Sequence, residues 1–437
     1  MSDPTTPASP GPADGISGRR RLPTRALVAA SIGNAIEFYD WTIYVTFSIF
    51  FATQVFPKED AALALIGTLA TYAVAFFFRP LGGWLLGRFA DLHGRRTAML
   101  VTILLMACGS LVIGLLPTFA MVGWLAPALL LIARVAQGMS LGGEVPNASA
   151  YLAEIAPPQR RGRYSSFLPI STGSAVLLAS LLGALLTQTL DAAQMASYGW
   201  RIPFLIGGAL GFVGLWLRWA MPETDQFEAN KVAAQALRHP LLTTLREHPK
   251  VVGQLVGFIP LFALCYYTFF SALTPFAVTV RGASANEVFI ALLIATVLFV
   301  VLEYPMGAVS DRFGRKPQML VWSAATAVLI VPLSGLIKPG LGNLLVVFCV
   351  GLGLYTMMTS IVAAVMSELF PTALRGLGIG TWYNLTSALF GGTAPLVIQL
   401  LSAGGVAEAF FWYVAAGAAI AFLVILTLPE TKGEVLR

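Results

Sequence analysis

Apolar residues run along this 437-residue chain in long blocks, each closed by a short cluster of Arg, Asp, Gly or Pro. A helix rising about 1.5 Å per residue needs roughly 20 apolar residues to cross a hydrocarbon core, so each block predicts one transmembrane helix. Twelve are legible, at approximately 26–52, 62–87, 98–117, 122–145, 164–190, 201–221, 251–278, 287–309, 317–337, 342–366, 376–401 and 405–428. The expected fold class is an all-α membrane protein. Composition agrees: 11% of the residues are charged, where soluble domains carry about 25%.

Charge adds an orientation. Of the 27 Lys and Arg residues, 21 fall in the N-terminal tail, in alternate loops (88–96, 160–163, 218–250, 312–316, 375) and after 428. The opposite loops hold only Lys58, Arg201, Arg281 and Lys338. Cytoplasmic loops carry the excess of basic residues, so both termini are expected in the cytoplasm, with the chain as a multi-pass protein of a bacterial-type inner membrane. The net charge of +6 then needs no nucleic-acid partner. Residues 1–25, rich in Pro, Ser, Thr and Gly and ending in Arg19, Arg20, Arg21 and Arg25, read as a disordered cytoplasmic tail. They are not a signal peptide, because a full-length span follows with no small-residue cleavage site.

Cys108, Cys265 and Cys349 lie inside apolar runs, and His93, His239 and His248 are scattered among polar segments. Neither set has metal-ligand spacing, so no metal and no cofactor is expected. No nucleophile–base set or phosphate loop is present, which argues against an enzyme.

The two halves of the chain echo each other. Gly87, Asp91, Gly94 and Arg95 recur 220 residues later as Gly307, Asp311, Gly314 and Arg315. Glu154 and Pro157 with Arg161-Gly162 recur as Glu368 and Pro371 with Arg375-Gly376, and Pro222-Glu223-Thr224 recurs as Pro429-Glu430-Thr431. Three echoes in order predict two pseudo-symmetric six-helix halves, 26–221 and 251–428, joined by a cytoplasmic linker at 222–250 and followed by a tail at 429–437.

The G-x-x-x-D-x-x-G-R loop in both halves resembles the signature of the major facilitator superfamily. Further motifs are similar to those of its metabolite:proton symporter family: Gly33-Asn34 with Glu37-Phe38-Tyr39-Asp40, Phe78-Arg79-Pro80-Leu81-Gly82-Gly83, Arg134-Val135-Ala136-Gln137-Gly138 with Gly142-Gly143-Glu144, Gly199-Trp200-Arg201 and Phe390-Gly391-Gly392. Phe410-Phe411-Trp412-Tyr413 and Gly82-Gly83-Trp84 look closest to the α-ketoglutarate permease branch, from which Val145-Pro146-Asn147 and Glu303 depart. The resemblance implies a secondary active transporter working by alternating access.

The residues themselves suggest the chemistry. Glu37 and Asp40, three positions apart, share one helix face. A lone carboxylate at the centre of a membrane helix costs about 2.5–3.5 kcal/mol, so such a pair must be paired, protonated or facing water, and it is a candidate for proton coupling. Glu144, after two glycines, either lines the cavity or is a solvated helix-end acid. Glu303 is either a further proton site or an ion-pair partner. Arg79 and Arg134 are the cations at comparable depth; each reads as a fork for a substrate carboxylate or as a counter-ion to one of the acids. Asn34, Tyr44, Gln137, Tyr267, Tyr383 and Asn384 are candidates to complete a substrate pocket. Asp91, Gly94, Arg95 and Arg96 beside Gly87, with Asp311, Gly314 and Arg315 in the second half, are read as conformational latches, as the resemblance implies for these loops. The repeated Glu154, Arg161, Glu368 and Arg375 are grouped with them.

An inside-negative potential opposes anion entry by about 2.3 kcal/mol per charge per 100 mV, and protons carried with the substrate remove that cost. The expected function is proton-coupled uptake of a small organic acid, a dicarboxylate such as α-ketoglutarate, by a monomer whose partners are substrate, protons and the lipid bilayer. Symport of a zwitterionic osmolyte such as betaine or proline, and export of drugs or metabolites on the same fold, are the alternatives.

Overall fold

A computed structural model of the chain describes residues 24–57, 59–93, 95–142, 156–219, 245–246, 248–369 and 375–434, without the side chains of 24–33, 87–88, 90–93, 95–96, 98–99, 217–219 and 375–380. Among these residues every regular element is a helix. The N-terminal set comprises α1 (Thr24–Val55), α2 (Ala61–Phe77), α3 (Arg79–His93), α4 (Arg95–Gly114), α5 (Leu125–Leu141), α6 (Phe167–Thr189) and α7 (Arg201–Trp219). The C-terminal set comprises α8 (Pro249–Tyr267), α9 (Leu273–Thr279), α10 (Ala285–Phe313), α11 (Arg315–Ser334), α12 (Leu341–Leu369), α13 (Arg375–Thr386), α14 (Ala394–Ala403) and α15 (Glu408–Leu426).

Nine helical stretches among the described residues are long and apolar enough to cross a membrane, and Leu100–Gly114 and Leu125–Leu141 are shorter apolar helices. With α1 they reproduce the twelve expected spans. Large apolar side chains such as Leu115, Ile132, Val301 and Leu423 stand exposed on the outer surface, where lipid rather than water suits them.

The interruptions of the second, seventh and eleventh spans each have a proline beside them. The second span divides into α2 and α3 at Phe78, whose N–H reaches back three residues to the Ala75 carbonyl at 3.2 Å. Pro80, which has no N–H to continue the ladder, follows two residues later. The seventh and eleventh spans widen into π turns at Thr268–Ala272 and Ser387–Gly392, just before Pro275 and Pro395. Such turns release a helix from its regular ladder and are frequent at functional sites. Here they lie beside Tyr267 and Tyr383.

Within the first half α1 packs on α2, α6 and α7, and α4 on α5 and α7; within the second, α10 packs on α12, and α8 and α11 on α15. Across the seam α6 meets α10, α1 meets α9, and α2 meets α14 and the π turn before it. The repeated glycines show their use at that seam. A methyl group on Gly307 would stand 2.5 Å from the Gly162 carbonyl oxygen, and one on Gly162 would stand 2.5 Å from the Gly307 carbonyl oxygen. Only bare backbone allows the halves to touch there.

This approach is tested by two Gly→Ala changes with opposite expected signs. Gly353→Ala, with nothing within 4 Å of the added carbon, is expected to stabilise the detergent-purified protein by about 0.5–1 kcal/mol. Gly307→Ala is expected to lower its melting temperature, at an overpacking cost of about 1–3 kcal/mol. Equal shifts in the two variants would contradict the close contact.

Candidate functional site

Between the halves lies a cavity lined by residues of both. The first half contributes Asn34 and Phe38 from α1 and Thr172 from α6; the second contributes Tyr266 and Tyr267 from α8, Phe299, Thr359, Tyr383 and Ser387. Aromatic faces dominate the wall. The hydroxyls of Tyr266 and Ser387 are buried and have no hydrogen-bond partner within the protein. Asn34 Nδ2 donates to Ser171 Oγ at 2.8 Å and Thr172 Oγ1 at 3.1 Å, which ties α1 to α6 at the cavity edge.

The expected pair of acids is not on this wall. At about 100° per residue Asn34 and Phe38 share one face of α1, while Asp40 falls roughly 140° round from it and Glu37 roughly 80°. The Asp40 side of the helix turns into the first half instead. There Asp40, 1% exposed, meets Arg134, 0% exposed, through Oδ2 and Nη1 at 3.3 Å. The Ser110 hydroxyl from α4 donates to the other carboxylate oxygen. Arg134 Nη1 also donates to Gln137 Oε1 at 2.7 Å, and Gln137 Nε2 donates to Ser110 Oγ at 3.1 Å. The Arg134 guanidinium lies 4.4 Å from the Trp41 ring centre and 4.0 Å from that of Tyr44, whose hydroxyl donates to the Thr68 carbonyl at 2.9 Å. Four helices thus enclose one desolvated charge pair. Tyr44 and Gln137, expected in the pocket, belong to this cluster.

Arg79, at the break between α2 and α3, is placed differently. Its guanidinium stacks 3.6 Å from the Phe76 ring centre and 4.3 Å from that of Trp41. Nη1 donates to the hydroxyl of cavity-lining Tyr267 at 3.5 Å, while Nε and Nη2 are buried without a hydrogen-bond partner. Both candidate cations keep Nε and Nη2 unpartnered, but Arg134 is paired with Asp40 inside its half, whereas Arg79 reaches Tyr267 across the seam. Asn384 does not line the cavity; it donates to the Gly142 carbonyl at 2.6 Å across the seam. Glu303 is fully buried between α10 and α12, with Oε1 against the Thr359 hydroxyl.

A second cluster joins the halves on the face where α1 begins. Asp311, near the end of α10, accepts from the backbone N–H groups of Gly162 at 2.9 Å and Arg163 at 3.2 Å. Arg315 binds Asp311 at 2.9 Å and Glu368 at 3.4 Å, and Arg161 reaches Glu368 at 3.5 Å and the Glu434 carbonyl at 2.6 Å. Gly314, with φ +110°, makes the turn from α10 into α11 that brings Arg315 back beside Asp311. The second-half residues Asp311, Gly314, Arg315 and Glu368 and the first-half Arg161 therefore form one network. Gly94, Glu144 and Glu154 lie outside the described residues. Asp91, Arg95, Arg96 and Arg375 sit on described helices, as does Gly87, but their side chains lie outside.

Sequence reasoning missed Ser110, Thr359 and the Gly162 and Arg163 N–H groups. Hydroxyls and backbone donors carry no charge to mark them; only the repeated Gly162 gave a signal.

The model of the Major Facilitator Superfamily matches residues 30–380 and 281–437. The chain belongs to the major facilitator superfamily. It is a membrane transporter and not an enzyme. It is similar to an α-ketoglutarate permease of Escherichia coli, 37% identical over 422 residues that cover 96% of each chain. It is also similar to a putative proline/betaine transporter of Staphylococcus aureus, 34% identical over 94% of this chain and 90% of that one. Among solved structures a D-xylose–proton symporter superimposes with a TM-score of 0.73 at 20% identity, covering 94% of this chain and 99% of the other, which shows the facilitator fold.

Removing one partner of a buried ion pair costs about 3–5 kcal/mol, because the other charge is left stranded. Arg134→Leu is therefore expected to lower the melting temperature of the purified carrier sharply, and adding Asp40→Asn is expected to recover much of the loss. A double variant no more stable than Arg134→Leu alone would contradict the pairing.

Proposed function

We propose that this transporter takes up a small organic acid together with protons, and that an α-ketoglutarate-like dicarboxylate is the substrate. The observation that carries the reading is Arg79. Its two unpartnered N–H positions, at the seam and next to Tyr267, supply a fork suited to a carboxylate. The similarity to an α-ketoglutarate permease supports the same substrate class.

Proton coupling falls to the buried acids of α1. Asp40 as a carboxylate is held by Arg134; with a proton on it the pair loses its attraction, and Arg134 becomes free to reorient. Glu37, one turn before, is 3% exposed and adjoins the cavity-lining Phe38. A dianion moving inward against the membrane potential needs two protons for electroneutrality, and a third lets the potential drive uptake. The basic loops orient the face where α1 begins toward the cytoplasm of an inner membrane. On that face the Asp311, Arg315, Glu368 and Arg161 network acts as the latch, which must part when the halves rock open. The cavity is complete within one chain, so a monomer suffices.

A second reading rests on the cavity's aromatic wall. Phe262, Tyr266, Tyr267, Phe299 and Tyr383 offer the ring faces that recognise quaternary ammonium groups, and a zwitterion such as betaine would place its carboxylate on Arg79. Thermal-shift titration with α-ketoglutarate and betaine separates the two, with stabilisation by α-ketoglutarate expected.

Arg79→Gln removes the charged fork, and the loss of about 1.5–3 kcal/mol for hydrogen bonds to a charged group corresponds to roughly 10- to 150-fold weaker binding of the acid. Arg79→Lys is expected to recover part of it. Parent-like affinity in Arg79→Gln would remove Arg79 from the site. Latch opening is read separately: Asp311→Asn is expected to raise the labelling rate of a cysteine introduced at Thr172 by a cytoplasmic thiol reagent, and an unchanged rate would contradict the latch.

A further inference from the structure

Glu303 lies in the interior of the second half, on α10. It is 0% exposed, and Oε2 has no hydrogen-bond partner. Among the described residues its surroundings contain no cation to hold a negative charge. α10 packs against α6, α9, α11, α12 and the turn at 158–165. Among these, α6 and α9 contain no titratable residue at all. α12 offers Cys349, Tyr355 and Glu368; α11 offers Arg315 and Lys316; the turn offers Arg160, Arg161, Arg163 and Tyr164. α10 itself adds Glu287, Tyr304, Asp311 and Arg312. All the cations in this set lie at the latch end of the helix, where Arg315 is already bound to Asp311 and Glu368. Asp311 is eight residues from Glu303, or about 12 Å along the helix.

The hydrogen-bond geometry carries the next step. Thr359 Oγ1 lies against Glu303 Oε1 and also 3.1 Å from the Tyr355 carbonyl oxygen. A hydroxyl has one hydrogen, and a carbonyl can only accept. Both contacts are satisfied together when Thr359 donates to Tyr355 and the carboxylic acid form of Glu303 donates to Thr359. An ionised Glu303 would instead compete for that hydrogen and leave an uncompensated charge in an apolar interior. Thr359 lines the cavity, so the acid is one hydroxyl away from the substrate space.

We infer that Glu303 is a second-half proton carrier of the transport cycle, held as a neutral acid while the anionic substrate is bound, with the Thr359 hydroxyl as its relay to the cavity. The inference rests on the proposed proton-coupled uptake of an anion and names one of its carriers. The coupling is like-charge exclusion: an ionised Glu303 and a substrate carboxylate in one low-dielectric space repel each other, so the proton must be loaded before the anion binds. The proton leaves through Thr359 after the substrate has gone.

Three variants of the full chain in proteoliposomes test this, with labelled α-ketoglutarate as probe. Glu303→Gln mimics the loaded carrier. It is expected to keep substrate exchange, to take up one proton fewer per substrate than the parent, and to hold its affinity as pH rises where the parent weakens by about tenfold per pH unit. Thr359→Val is expected to slow proton-driven uptake, and Thr359→Ser to restore it. Infrared difference spectra of the substrate-free protein should show a protonated-carboxyl band in the parent that is missing from Glu303→Gln and shifted in Thr359→Val. An unchanged proton ratio with a pH profile parallel to the parent's, or an undiminished band in Glu303→Gln, would overturn the assignment of Glu303 alone. A parent that shows the band but moves no protons with α-ketoglutarate would overturn the transport reading and the carrier role with it.

Discussion

The architecture depends on one constraint, that a charge inside hydrocarbon must be met by another. Asp40 and Arg134 satisfy it for the first half. Ser110 and Gln137 take up further hydrogen-bonding positions, and the rings of Trp41 and Tyr44 lie against the guanidinium. A buried pair of this kind contributes little net stability over an apolar equivalent. Its persistence in a bundle built from apolar blocks therefore points to a switching role. In the proposed mechanism one proton removes the hold of Asp40 on Arg134, and the four helices that meet there transmit the difference.

In the proposed mechanism two further features would turn that switch into a transport device. Arg79 is set at a break in its span, against Phe76 and Trp41 and within reach of Tyr267 from the opposite half. A ligand on Arg79 therefore touches both halves, which gives it a differential interaction with open and closed arrangements, and only such an interaction can shift their populations. At the basic face Asp311 holds backbone N–H groups of the other half while Arg315 and Arg161 share Glu368. Each bond there is modest, and the set can be exchanged for water when the halves part.

The sequence was informative wherever the physics is one-dimensional. Spans follow from apolar length and the two halves from their echoes, so the fold was legible before any coordinates. The repeated Gly307 was visible as a motif, but its purpose, backbone contact with Gly162, needed both halves in space. Which way a helix face turns is a tertiary property. Glu37 and Asp40 were rightly placed a turn apart, yet packing of α1 against its neighbours turned the Asp40 side inward and gave the cavity wall to Asn34 and Phe38. The choice between Arg79 and Arg134 was open for the same reason, since pairing with Asp40 is set by where α1 and α5 meet. Thr359 and Ser110 were unreadable because a hydroxyl on an apolar helix most often satisfies its own backbone, as Thr46 does with the Thr42 carbonyl at 2.8 Å.

The central claim is that buried acids exchange protons in step with an organic anion held at the seam. The most direct measurement is simultaneous recording of labelled α-ketoglutarate uptake and external pH in proteoliposomes with an imposed inward proton gradient and the membrane potential clamped at zero. The account predicts accumulation of the acid above its external concentration, alkalinisation of the medium in fixed proportion to it, and collapse of both on adding a protonophore. Uptake that only equilibrates the acid, with no accompanying proton movement, would contradict it.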